Sequence, residues 1–125
     1  MGLIEKEDKF LFGIEAKEGP FKGKWRLLGG KLEGNENAEE AMVRESMEEA
    51  CVEVKVIDFL GEMKGEVGDI IVKMCHSRWI SGVPAPAVRE IKTLKWFTLE
   101  EAKRLDKDNI SAKALDLFEK KQISI

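Results

Sequence analysis

The chain has 125 residues, 43% of them hydrophobic, which suits one ordinary core and is too short for two independent domains of typical size. Although 36% of the residues are charged, 21 basic against 24 acidic side chains leave a net charge of only -3, so no polyanion-binding surface is advertised and long nucleic acids are not expected as partners. No apolar run approaches the ~18 residues of a membrane span. The charged start MGLIEKEDKF is unlike a signal peptide, and Cys51 and Cys75 form no CxxC pair, so the expectation is a single-domain cytoplasmic protein with reduced cysteines.

Gly2 to Ile4 opens a short strand, and Phe10, Phe12 and Ile14 alternate with Leu11, Gly13 and Glu15 as a second, so Lys6-Glu7-Asp8-Lys9 reads as a hairpin turn. Lys17 to Gly34, KEGPFKGKWRLLGGKLEG, is loop chemistry around a short apolar piece at Trp25 to Leu28. Ligand contacts are expected there; Phe12, Phe21 and Trp25 are candidate stacking residues, with core packing the competing role for Phe12. Asn37 and Glu40 form an N-x-x-E capping box, and no glycine or proline interrupts Ala38 to Ala50, which predicts a helix of about three and a half turns. Val52, Val54, Val56 and Phe59 then alternate as a strand. A turn over 64–68 joins it to an antiparallel partner from Asp69 to Ile80. After a proline-containing loop from Gly82 to Arg89 come a strand at Ile91 to Phe97, a helix capped by Thr98 and Glu101 and running through Leu105, and a last helix. That helix carries Ile110, Ala114, Leu117 and Phe118 as an apolar stripe. The pattern predicts an α/β fold with a mixed, mostly antiparallel sheet between helices.

The chemistry is concentrated in GKLEGNENAEEAMVRESMEEACV, Gly30 to Val52. Glu45, Glu48 and Glu49 fall at i, i+3 and i+4 on one helical face about 100° wide, so their carboxylates can converge. Met42, Val43, Ser46 and Ala50 point well away and are expected to be the buried face. Like charges on adjacent turns repel by a few tenths of a kcal/mol per exposed pair, and a hard divalent cation with oxygen donors, magnesium or manganese, answers that repulsion. A glutamate-rich helix also serves as a plain solvated face, so the helix alone decides little.

The full spacing does more. Gly30, Glu36, Arg44, Glu45, Glu48, Glu49 and Val52 stand in register with G-x5-E-x7-R-E-U-x-E-E-x-G-U, where U is aliphatic, and so resemble the Nudix box. A chance match at a given start is on the order of one in a million or rarer, which outweighs the solvated-face reading. GKWRLLGGK likewise resembles the family's G-x-W-x-L-P-G-G-K lead-in. The resemblance implies a Nudix-type α/β/α sandwich in which Glu45, Glu48, Glu49 and the Gly29 carbonyl hold Mg2+ or Mn2+ and Arg44 orients Glu45. It also implies that Glu36 and Lys31 support the loop and the substrate phosphates. Glu90, six residues before Trp96, fits a metal ligand or general base by resemblance and a surface residue otherwise. Three positions depart from the pattern: Ser46 for an aliphatic residue, Leu28 for the proline, and Cys51 for the box glycine, where the resemblance implies a left-handed conformation that disfavours a Cβ.

For the substrate, Val67 and Gly68 stand where the ADP-ribose branch carries a proline, and the chain has no tyrosine for the diadenosine polyphosphate branch. DNISAKALDLFEK resembles MutT-type nucleoside triphosphate pyrophosphohydrolases, in which an asparagine at the position of Asn109 bonds a purine; an N-cap is the other role for that residue. Glu15 and Lys17 stand near where a strand-end arginine of that branch contacts phosphates, which counts against tight triphosphate binding. The expectation is metal-dependent hydrolysis of a small nucleoside triphosphate, with oxidised purine nucleotides as candidates. The alternatives are another nucleoside diphosphate linked to a further group, and a nucleotide-sensing module without turnover.

Overall fold

Neighbouring apolar residues that part to opposite faces of one sheet build this fold. The structure, a computed structural model, describes residues 1–30, 32–65 and 70–123. Its elements in chain order are β1 (Gly2–Lys6), β2 (Lys9–Glu15), β3 (Trp25–Arg26), α1 (Ala38–Ala50), β4 (Glu53–Lys64), β5 (Ile71–Ser81), β6 (Ile91–Thr98), α2 (Leu99–Arg104) and α3 (Asn109–Ile123). The strand order is β3-β2-β1-β5-β4, and β6 lies off that path, paired antiparallel with β2 from Lys9 to Glu15. β1 and β5 run parallel and the other pairs antiparallel, so the mixed, mostly antiparallel sheet forms as expected.

Leu3, Phe10, Phe12, Leu27 and Met74 face one way and pack on Ala102 of α2 and on Ala114, Leu115 and Phe118 of α3. Their neighbours Ile4, Leu11, Leu28 and Cys75 face the other way and pack on Met42 and Ala50 of α1. The result is an α/β/α sandwich, and it explains why Leu11 in β2 is as buried as Phe12. Phe59 is a correction. Expected to alternate inward with the valines, it is 45% exposed, while its neighbour Leu60 packs into the α2/α3 core on the other face; bulges between Val56 and Asp58 and between Phe59 and Gly61 interrupt the strand there. The expected turn over 64–68, and the Val67 and Gly68 positions, fall mainly outside the described residues. Among the described residues no helix is long and apolar enough to cross a membrane.

At the start of α1 the Asn37 side chain accepts the Glu40 N–H at 2.8 Å while Glu40 accepts the Asn37 N–H at 3.0 Å, the reciprocal box read from the sequence. Ser46 is fully buried and its hydroxyl donates to the Met42 carbonyl one turn back at 2.7 Å. Val43, expected on the buried face, is 40% exposed, while Glu45 and Glu49 are buried; the buried arc is thus rotated toward the glutamates.

The helix ends on Cys51 at φ 58° and ψ 32°, the left-handed conformation that the box position demands, with the Val52 N–H reaching back to the Ser46 carbonyl. Cys51→Gly is therefore expected to change stability by no more than about 0.5 kcal/mol, since relief of strain is offset by the added freedom of glycine in the unfolded chain. Cys51→Val should cost at least about 1 kcal/mol, because a β-branched residue tolerates this region worst. Denaturant midpoints check both, and valine tolerated as well as glycine would contradict the strain argument.

A second stability prediction comes from Ser77 in β5, fully buried with a hydroxyl that finds no hydrogen-bond partner among the described residues. Ser77→Ala removes a desolvated polar group at little loss of volume and should raise stability by about 1 kcal/mol. A lowered melting temperature would show that the hydroxyl is satisfied in solution.

Candidate active site

The three box glutamates of α1 and the backbones of Gly29 and Gly30 line one cleft of about 510 Å³. The glycines are there for room. Gly29 sits at φ 133°, and a Cβ on Gly30 would stand 2.7 Å from Oε1 of Glu45, so the space that a side chain would need is filled by that carboxylate.

Two arginines hold the glutamates. Arg44 donates to Glu45 Oε1 and Glu48 Oε2, each at 2.9 Å, and its other end is gripped by Glu36 at 2.7–3.2 Å. The hydrogen bond to Arg44 holds the Glu36 carboxyl below the usual carboxylate range, and Glu36 also accepts the Glu33 N–H at 2.8 Å. Glu36 thus braces the loop and Arg44 from behind and is not part of the cleft lining. Arg26 lies buried at the inner end of the row and donates to Glu49 Oε2 at 2.8 Å, to Glu15 Oε2 at 3.0 Å and to the Leu27 carbonyl at 2.8 Å. Glu49 itself is 2% exposed, and its Oε1 accepts the Gly29 N–H at 2.7 Å. Burial pushes the Glu49 carboxyl up from the usual range, and the Arg26 guanidinium pulls against that shift.

The expected convergence needs a correction here. The glutamates share the cleft, but among the described residues no three acidic, histidine or cysteine side chains stand close enough together to hold a metal ion, because Arg44 and Arg26 draw the carboxylates to opposite ends. The donor chemistry nonetheless fits a hard divalent cation, since every side-chain donor in the row is a carboxylate oxygen. Charge points the same way. Seven acidic side chains line the cleft against Lys17 and Arg26, and a polyphosphate entering it meets net repulsion unless cations accompany it.

Across the cleft stands Glu90. The Ala85 N–H donates to the Ala50 carbonyl and the Ala87 N–H to the Glu49 carbonyl, at 2.9 and 3.0 Å, which ties the preceding loop to the end of α1. Glu90 then faces the cleft with Lys17 Nζ at 3.4 Å from its Oε1. Phe21 lines the same space from the β2–β3 loop.

Two sequence-derived candidates land elsewhere. Trp25 meets Phe97 edge-to-face at 4.9 Å and packs against the α2/α3 core rather than lining the cleft. The cause is strand alternation, which sends Trp25 to that face and its neighbour Arg26 to the face of α1. Asn109 is exposed at the first position of α3, outside the cleft lining, and it is not the cap either. Asp108 caps the helix by accepting the Ser111 N–H at 2.8 Å, and Asp108 is the residue that borders the cleft. Lys31 lies outside the described residues. Arg26 and Asp108 escaped the sequence reading, although an arginine inside the apolar run WRLL was a visible signal for the first.

Known proteins bear on this arrangement. An NAD-capped RNA hydrolase, NudC, from Pseudomonas aeruginosa is 27% identical over 117 residues, covering 93% of this chain, which spans only about two fifths (41%) of that protein's length. The CTP pyrophosphohydrolase of Escherichia coli is 29% identical over 101 residues, 80% of this chain and 74% of that protein. The solution structure of the E. coli ORF135 protein superposes with a TM-score of 0.80 at 24% identity, covering 98% of this chain and 88% of that one, a likeness of fold. Residues 2–118 match the NUDIX domain, and with the box glutamates, their arginine and the glycine pair gathered at one cleft of the matching fold, the chain belongs to the Nudix family.

Proposed function

We propose that this chain hydrolyses the pyrophosphate bond of a nucleoside triphosphate with a divalent cation, Mg2+ or Mn2+, held by Glu45, Glu48, Glu49 and the Gly29 carbonyl. Nudix hydrolases generally need divalent metal ions. The observation that carries the reading is the single cleft where the box glutamates, Gly29 and Glu90 meet, with a volume in the range of nucleotide sites and too much acid to accept a bare polyphosphate. When bound, the ion supplies positive charge to the pyrophosphate oxygens and Lewis acidity at phosphorus. The protein's own part is positioning and proton transfer. Arg44, braced by Glu36, orients Glu45 and Glu48. Lys17 places a cation at the rim for a phosphate oxygen, and the Glu90 carboxylate beside it accepts the proton of the attacking water as the pyrophosphate leaves.

The test is a panel of nucleotides with Mg2+ and the purified chain, products being separated by ion-pair chromatography. Nucleoside monophosphate and pyrophosphate are the expected products. The panel spans pyrimidine, purine and oxidised purine triphosphates, because the residue that suggested purines, Asn109, stands outside the cleft lining, whereas the relative acting on CTP covers most of this chain. No turnover of any nucleotide overturns the enzyme reading. A second reading, hydrolysis of a nucleoside diphosphate linked to another group, is favoured by the match to the NAD-capped RNA hydrolase along 93% of the chain. ADP-ribose and NAD-capped RNA turned over faster than every triphosphate would select it.

A further inference from the structure

Arg26 has no role in the box pattern, yet it is the one buried lysine or arginine among the described residues. Its guanidinium is committed on three sides: Nε donates to Glu15, Nη1 to the Leu27 carbonyl and Nη2 to Glu49 Oε2. The other oxygen of Glu49 is taken by the Gly29 N–H, so each oxygen of this carboxylate has a protein donor, one on strand β3 and one on the glycine loop. Such a carboxylate has one orientation. Glu15 completes the chain from the end of β2, where it stabilises the buried cation against its own desolvation.

We propose that Arg26 is the positioning residue of this site: anchored by Glu15, it fixes the plane of the Glu49 carboxylate and acts on the reaction through Glu49, without contact to substrate. The proposal rests on the reading of Glu49 as part of the hydrolytic site. A guanidinium with three of its nitrogens already donating within the protein is poorly placed to follow a substrate phosphate, and a lysine could not hold Glu15 and Glu49 together in one plane.

A double-mutant cycle tests it, using the full chain well below the melting temperature of each variant. Arg26→Gln is expected to lower kcat at least about 30-fold with KM changed less than about threefold, and Arg26→Lys to recover about tenfold of that loss. In a Glu49→Gln background the same Arg26→Gln change should cost no more than about threefold further, because two residues acting as a unit are not additive. The double variant also removes both buried charges, so it folds where Arg26→Gln alone strands one. Losses that multiply across the cycle overturn the proposal, as does Arg26→Gln raising KM at unchanged kcat, which marks a substrate contact. Mn2+ binding without substrate, followed by electron paramagnetic resonance, gives a readout that needs no turnover. Arg26→Gln should weaken it at least about fivefold and have no further effect once Glu49 is glutamine. Unchanged Mn2+ affinity in Arg26→Gln overturns the clamp even if the wild-type chain hydrolyses no nucleotide. A wild type without turnover but with this coupling intact overturns the hydrolase reading alone.

Discussion

Glu48→Gln is expected to lower turnover at least about 100-fold while leaving the melting temperature almost unchanged, because charge stabilisation by a bound cation is worth several kcal/mol and an exposed ion pair is worth little. The Glu48 side chain is 57% exposed and its partner, Arg44, keeps Glu36 and Glu45 when Glu48 is neutralised. Glu49→Gln should lose as much turnover and behave differently in stability. Its carboxylate is buried against Arg26, which would retain only Glu15 as a counter-charge, so a cost of about 2 kcal/mol is expected. Steady-state rates and thermal unfolding of both variants check the pair, and unchanged turnover in both removes the catalytic assignment of the glutamate face.

Gly29→Ala should be the most damaging small substitution in the cleft, costing at least about 3 kcal/mol of stability and most of the activity. Two effects add. At φ 133° any residue with a Cβ is strained, and that Cβ would stand 2.2 Å from Cα and 2.6 Å from N of Met1, backbone atoms that cannot swing aside. The same shift would displace the N–H that holds Glu49 Oε1. Gly30→Ala is the informative contrast. The three atoms nearest its Cβ would all belong to the Glu45 carboxylate, the end of a flexible side chain, so turnover should fall while the melting temperature moves little. Equal loss of stability in the two alanine variants would show that the loop is not held as described.

Much of this arrangement is legible in local sequence. The capping box at Asn37 and the left-handed exit at Cys51 each depend on a few consecutive residues and on backbone sterics, and each stands in the structure as read. The helix period put Glu45, Glu48 and Glu49 on one face for the same reason. The failures share a different cause. Phe59 stands exposed beside two bulges that no residue pattern announces, and Asn109 is neither cap nor cleft residue because Asp108, one residue earlier, takes the cap. Trp25 was set beside the substrate on residue type alone, whereas the pleat assigns it to the core.

Fold class, family and the order of elements were therefore written into short stretches of chain, since caps and periods report on neighbours within about four residues and the box lies wholly within Gly30 to Val52. The state of the glutamates was not. Glu45 and Glu49 are buried because β3 and the glycine pair pack over α1, and Glu49 meets Arg26 from 23 positions away. That meeting depends on which face of β3 turns toward the helix, and nothing in the WRLL run itself says which. Long-range pairing in a closed sandwich settles it, because Leu27 and Leu28 must each enter a separate core and the side of Arg26 follows from theirs.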